Sequence, residues 1–206
     1  MQTYLDFNNE SNDLIVSSKN LNILKLLDTK NKFNLIYGSS KSGKSTIAKK
    51  YSKKKLYEYY TTLPSSLVFK NGLYLDLDKL PLSEEFFFHV IQYFLSQDIP
   101  LTIFTQTNPF ELSSKEVVLP DTLSRLKQFH IEIIEEPDDE LLFKLIEKHL
   151  KSKSITVSDR IIRETMNHIN RTYLSAFIAA KTINHLLSQN NHNINLSLIK
   201  NHYEQI

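Results

Sequence analysis

One stretch of the sequence decides the fold, Gly38-Ser39-Ser40-Lys41-Ser42-Gly43-Lys44-Ser45, which has the spacing G-x-x-x-x-G-K-S/T. An apolar run, Phe33 to Tyr37, precedes it, and a helix-like run, Thr46 to Lys55, follows. Strand, loop and helix in this order are the setting in which such a loop binds nucleotide phosphates. A chance match in a surface turn is the alternative, although two of the chain's three glycines stand at the required positions. The stretch therefore predicts a nucleotide site in an α/β protein.

The residue types in this loop have chemical reasons. We expect Gly38 and Gly43 to turn the backbone with positive φ, which lets successive N–H groups point at phosphates. The helix that begins near Lys44 adds the positive end of its dipole. Lys44 is predicted to reach the β and γ phosphates, and the Ser45 hydroxyl to take one place on Mg²⁺. The predicted cofactors are therefore ADP or ATP with Mg²⁺, held by residues 38–45; Thr46 completes the predicted set, although by position it is an ordinary helix residue.

Composition limits the classes of protein that fit. A chain of 206 residues with 41% hydrophobic content can bury one sizeable core, or a main domain and a small one. No apolar run approaches the roughly 20 residues that span a bilayer, and the first residues lack a secretion signal. With no cysteine present, these features favour a cytoplasmic protein that has no membrane partner. The net charge of +2 does not indicate nucleic-acid binding, and the lysines of Lys49 to Lys55 fit either a solvated face or a nucleic-acid contact.

The periodicity changes along the chain. Strands and helices alternate up to strand Phe129 to Ile134, after a short helix carrying Leu21, Leu24 and Leu27 that Ser18 or Asn20 caps. From Pro137 the pattern is purely helical. We therefore predict a flexible N-terminal peptide over 1–13, an α/β nucleotide-binding domain with a parallel sheet over 14–136, and a helical lid domain over 137–206. Residues 56–67 allow no prediction.

Two strand ends carry polar side chains suited to the site. The run from Leu73 to Asp78 reads as a buried strand ending in acid, and Asp76 is predicted to hold the Mg²⁺ shell or to orient the attacking water. A strand-ending turn acid is the alternative. The strand Leu101 to Thr105 ends in a polar turn that includes Thr107, where side chains sense a γ phosphate or only shape the turn.

The first residues resemble a tethered recognition peptide. Gln2, Leu5 and Phe7 give one polar and two apolar anchors ahead of a polar stretch, Asn8 to Asp13. An extended peptide of this kind inserts side chains into pockets on a partner. A frayed terminus, or a strand that docks on its own domain, explains it equally well.

The chain resembles the AAA+ ATPases in a combination of features. These are the phosphate loop, the acid-ending strand, the segment Leu119 to Leu126 and the helical part entered past Arg171. Within them the chain looks most like the DnaA-related branch and its Hda-like regulators of the replication initiator DnaA. The resemblance implies that Arg125 is an arginine finger acting in trans, that Thr107 is the first sensor, and that Arg171 is the helical-domain sensor, with Ser175 and Ala176 at the small-residue positions. The alternatives are a surface arginine for Arg125 and a cap-region charge for Arg171.

For Gln2, Leu5 and Phe7 the resemblance implies binding to the DNA polymerase sliding clamp (its beta subunit), so that DNA is reached indirectly. The implied function is a nucleotide-holding regulator that promotes hydrolysis of DnaA-bound ATP and that can form a homo-oligomer. An autonomous P-loop ATPase that acts as a helicase loader or DNA-remodelling motor is the competing hypothesis, and a nucleotide-stabilised adaptor is the third.

Two departures from the branch bear on this choice. The branch has adjacent acids at the end of the second site strand, whereas here Leu77 separates Asp76 from Asp78. By strand alternation the two acids share a face, so either the Mg²⁺ ligand or the base is expected to be missing. The chain also ends at Ile206 without the helix-turn-helix module of a full initiator. We therefore expect weak hydrolysis by the chain alone and no sequence-specific DNA binding.

Overall fold

The computed structural model describes residues 14–29, 31–55, 58–60, 72–78, 83–111, 120–191 and 193–205. The predicted clamp-binding residues Gln2, Leu5 and Phe7 lie outside these ranges. The backbone divides into two compact units, one of residues 18–135 and one of residues 136–206, to which residues 14–17 are also assigned. Each unit is described by itself.

The first unit, the α/β unit, is built on a five-stranded sheet. Its strands are β1 Phe33–Gly38, β2 Glu58–Tyr60, β3 Leu73–Asp76, β4 Leu101–Thr105 and β5 His130–Ile134. The spatial order is β2-β3-β4-β1-β5, and every neighbouring pair is parallel. The predicted parallel sheet is therefore confirmed, and β2 supplies a strand in the segment for which the sequence allows no prediction. Because β1 pairs with both β4 and β5, the loop after β1 begins beside the carboxyl ends of both neighbours.

The central strands β3 and β4 are buried on both faces, as expected for parallel strands covered by helices. Every residue of β3 and of β4 is buried. The helices of the unit are α1 Ser18–Asp28, α2 Lys44–Lys55, α3 Glu84–Ser96 and α4 Pro120–Leu126. Helix α3 buries Phe87, Val90, Ile91 and Phe94, as its periodicity predicts.

Helix α1 corrects one prediction. It begins at Ser18, so neither Ser18 nor Asn20 is its cap; Asn20 is a buried residue within the helix. The side chains that it buries are Asn20, Ile23, Leu26 and Leu27, whereas Leu21 is 39% exposed. Of the three leucines that the sequence places on this helix, only Leu27 is buried, because the polar Asn20 shares the inward face with Ile23 and Leu27, three and seven residues later.

The second unit, the helical unit, has a core of its own. Its helices are α5 Asp139–Lys151, α6 Asp159–Asn167, α7 Tyr173–Gln189 and α8 Leu196–Glu204. Their apolar stripes meet in one buried cluster that includes Leu142, Ile146, Ile162, Ala180 and Ile183. Among the described residues, no helix combines the length and the apolar character needed to cross a bilayer.

Candidate nucleotide site

The phosphate loop is held open by left-handed backbone at two positions. Lys41 has φ 68° and Gly43 has φ 91°. The Ser42 N–H donates to Ser39 O at 3.3 Å, and the Ile47 N–H donates to Gly43 O at 2.9 Å, which begins helix α2. A loop that reverses in this way and then enters a helix gathers N–H groups on its inner side, where an anion binds.

Gly38 is required for a different reason from the one that the sequence suggests. Its φ is not positive; among the described glycines only Gly43 and Gly72 have positive φ. A Cβ at Gly38 would instead lie 2.8 Å from Ile134 Cβ and 3.2 Å from Ile134 O on strand β5. The prediction of positive φ at Gly38 is therefore wrong, since close packing of β1 on β5 is what excludes a side chain there.

Lys44 is buried at the centre of the loop. Its side chain is 6% exposed, and Nζ donates to Gly38 O at 2.6 Å and to Ser39 O at 3.0 Å. The Lys44 Nζ also lies 3.2 Å from Asp78 Oδ2. The ammonium is thus fixed over the first turn of the loop by two carbonyls and one carboxylate.

Ser45 and Asp76 form the second part of the site. The Ser45 Oγ donates to Asp76 Oδ2 at 2.8 Å, and Asp76, the last residue of β3, is 1% exposed. A serine hydroxyl and a carboxylate are hard oxygen ligands of the kind that Mg²⁺ uses beside nucleotide phosphates. The Ser39 and Ser42 hydroxyl oxygens are also buried and have no hydrogen-bond partner among the described residues. The residues present therefore fit a magnesium nucleotide.

Asp78 is a site residue that the sequence reasoning missed. Strand β3 ends at Asp76, so strand alternation does not apply to Asp78, which lies in the following turn. From there its carboxylate reaches Lys44, and Asp78 Oδ1 accepts from the Gln106 N–H at 2.7 Å. Two carboxylates therefore stand at the loop, Asp76 in contact with Ser45 and Asp78 in contact with Lys44, and the expectation that either the Mg²⁺ ligand or the base is missing stays a prediction. An acid spaced two residues after a strand-ending acid was the available signal.

Thr107 lies beyond the end of strand β4 in an exposed bend. Its neighbour Gln106 is the residue whose backbone binds Asp78, so this strand end is joined to the loop through the Asp78 carboxylate. Buried Thr105 is the last residue of β4. A sensing role for Thr107 stays a prediction.

Arg125 stands in the last turn of α4. Its guanidinium carbon lies 4.9 Å from the centre of the Phe88 ring on α3, and Nε is buried without a hydrogen-bond partner among the described residues. The ring supports the cation by a cation–π contact. The structure thus gives Arg125 a contact with α3 and does not place it among the loop residues.

Arg171 makes its described contacts within the helical unit. Nε donates to Asp139 Oδ1 at 2.9 Å, and Nη1 donates to Met166 O at 2.9 Å and Ile169 O at 3.0 Å. These are the contacts of a residue that caps the end of α6, which is the alternative considered for it above.

The two small residues after Arg171 lie at the start of α7. The Ser175 N–H donates to Thr172 Oγ1 at 3.0 Å, and Ala176 is buried. Small residues at 175 and 176 are therefore explained by the start of α7, and a nucleotide contact for Arg171 stays a prediction.

Comparison with solved structures identifies the architecture. Domain III of the replication initiation protein DnaA from Thermotoga maritima matches with a TM-score of 0.69 and 14% identity, over 90% of this chain and 91% of that one. AMPPCP-bound DnaA from Aquifex aeolicus matches with a TM-score of 0.62 and 15% identity, over 87% and 64%. The chain has an AAA+ fold. The predicted α/β P-loop core followed by a helical portion is confirmed.

The same fold occurs in a protein of another kind. The Thermotoga maritima RuvB Holliday junction branch migration motor matches with a TM-score of 0.59 and 18% identity, over 89% of this chain and 65% of that one. No protein-family model and no curated protein sequence matches the chain. At these identities the likeness is one of fold, and the activity must be argued from the site.

Proposed function

We propose that the chain binds ADP or ATP with Mg²⁺ at the loop of residues 38–45. One observation carries the proposal: Ser45 Oγ lies 2.8 Å from buried Asp76 Oδ2, directly after Lys44 and at the start of helix α2. This arrangement supplies hard oxygens for the metal, a cation for the phosphates and a helix N-terminus in one place. Backbone N–H groups of the loop, through Thr46, supply the remaining donors.

With the nucleotide held in this way, the role that the resemblance implies is that of an Hda-like regulator. The protein is carried on the DNA-loaded sliding clamp through Gln2, Leu5 and Phe7 and presents Arg125 to ATP-bound DnaA. An arginine supplied in trans neutralises charge in the phosphoryl-transfer transition state and raises the rate by roughly 10³–10⁵-fold. The partly buried position of Arg125 over Phe88 supports the proposal, because a stacked guanidinium loses less conformational freedom when it binds an anion.

Turnover of radiolabelled ATP by purified DnaA tests this role, with and without the protein and with clamp loaded on DNA. We expect stimulation that requires the clamp and that is lost in Arg125→Ala, which removes the finger, and in Phe7→Ala, which removes clamp binding. Arg163→Ala is the matched control, since Arg163 also lies over a phenylalanine, 5.0 Å from the Phe143 ring centre, but in the helical unit. Unchanged DnaA turnover with Arg125→Ala would instead indicate a nucleotide-stabilised adaptor.

A second function is favoured by Asp78. Two carboxylates at the loop, Asp76 and Asp78, supply both the acid that binds the metal shell and an acid that could orient water, as an autonomous ATPase needs. A helicase loader or DNA-remodelling motor is therefore the alternative. Multiple ATP turnovers by the chain alone, lost in Asp76→Asn and without effect on DnaA, would establish it. A cytoplasmic location and a homo-oligomer stay predictions under either function.

A further inference from the structure

The carboxylate of Asp78 joins two parts of the site. Oδ2 lies 3.2 Å from Lys44 Nζ, and Oδ1 accepts the Gln106 N–H at 2.7 Å. The Asp78 side chain is 28% exposed and the Lys44 side chain 6% exposed, so bulk water screens this ion pair only in part. Asp78 therefore holds the cation that a nucleotide phosphate needs.

The Lys44 ammonium has three oxygen neighbours in the site, two that accept its hydrogen bonds and one with which it forms an ion pair. Two of them, Gly38 O and Ser39 O, are neutral carbonyls, whereas Asp78 Oδ2 is anionic. A phosphate oxygen that binds Lys44 must share the ammonium with these acceptors, and its charge repels only the carboxylate strongly. Asp78 is thus a competitor of the phosphates for Lys44.

The other acid has the opposite effect. Asp76 contacts Ser45 Oγ and stands where the two residues can hold Mg²⁺, which neutralises part of the phosphate charge. Resting on the nucleotide binding proposed above, we propose that Asp78 is a positioning residue that makes nucleotide binding depend on Mg²⁺. Without the metal, Asp78 opposes the phosphates; with the metal, the Mg²⁺ charge offsets that repulsion. The loop therefore favours magnesium nucleotide over the free nucleotide.

Calorimetric titration with ADP and with AMPPCP, each in Mg²⁺ and in EDTA, tests the inference on Asp78→Asn. The asparagine keeps an oxygen acceptor for the Gln106 N–H but removes the negative charge beside Lys44. In EDTA we expect nucleotide to bind roughly tenfold more tightly to Asp78→Asn than to the unaltered protein. With Mg²⁺ present, the nucleotide Kd of the two proteins should differ by less than about twofold. A merely structural role for Asp78 would weaken binding in both conditions.

Asp98→Asn is the control, because Asp98 pairs with Lys32 at the other end of the sheet, beside the first residues of β1 and β4. If Asp78→Asn does not fold, as judged by circular dichroism, Asp78→Ser provides a second uncharged variant with an oxygen acceptor. Equal or weaker binding in EDTA, or weaker binding confined to Mg²⁺, would overturn the inference and leave nucleotide binding intact. No binding by any form, including the unaltered protein in Mg²⁺, would overturn both proposals.

Discussion

Gly38 shows that a motif residue can be required for a reason that the motif does not state. Its backbone is ordinary, yet the space where a Cβ would stand is filled by Ile134 of strand β5. The first glycine of the loop is therefore a packing residue between neighbouring strands. The second glycine, Gly43, is the conformational one, at φ 91°.

Gly38→Ala is expected to lower the free energy of unfolding by about 1–3 kcal/mol, the usual cost of overpacking a close contact. The added methyl meets a Cβ and a backbone carbonyl, neither of which is the free end of a side chain, so relief requires β1 and β5 to move apart. Urea unfolding followed by circular dichroism measures the change. Ser40→Ala, in the same loop, is the control, and equal stability of the two variants would contradict this account.

The site residues that could be predicted from the sequence are those whose roles depend on residues next to them in the sequence. Lys44 and Ser45 follow from the motif, and Asp76 follows from a strand that ends in acid. The roles of Gly38 and Asp78 depend on where distant elements lie, β5 in one case and the turn after β3 in the other. The sequence does not show that Asp78 lies in the turn after β3, from which its carboxylate reaches Lys44.

At the scale of elements, a polar cap residue stands before the apolar stripe at three helix starts. Ser83, Asp138 and Thr172 each accept a hydrogen bond from a backbone N–H of the helix that they begin. Helix α1 begins at Ser18 and buries the polar Asn20, and there the predicted cap at Ser18 or Asn20 was wrong. Strand β2 spans three residues, too few for alternation to be visible in the sequence.

The helical unit offers a direct comparison of two hydroxyl caps. Thr172 Oγ1 accepts the Ser175 N–H at 3.0 Å at the start of α7, whereas Ser158 at the start of α6 makes no side-chain cap hydrogen bond. We expect Thr172→Ala to cost about 1 kcal/mol of stability. Ser158→Ala should cost clearly less, because no bonded donor is released. Urea unfolding of both variants tests this, and equal losses would show that the cap bond does not stabilise α7.

At the scale of the whole molecule, two compact units with separate cores do not have to unfold as one. A nucleotide stabilises only what it contacts, by about 2.7 kcal/mol at a concentration one hundred times its Kd. Binding at the loop alone therefore protects the α/β unit. If Arg171 also contacts the nucleotide, the helical unit is stabilised as well. Stabilisation of the helical unit by nucleotide therefore distinguishes the sensor role of Arg171 from a role as a cap of α6 alone.

Hydrogen exchange with and without Mg-ADP measures that protection unit by unit. For the unaltered protein we expect slower exchange in β1 and α2, and the predicted sensor role of Arg171 adds slower exchange at the start of α7. Arg171→Ala should exchange faster at the end of α6 even without nucleotide, since Met166 O and Ile169 O lose their donor. When Mg-ADP is added to Arg171→Ala, hydrogen exchange should still become slower in α2 but should no longer become slower in α7. Arg163→Ala should retain both, whereas no slowing of α7 in the unaltered protein would make Arg171 a cap and nothing more.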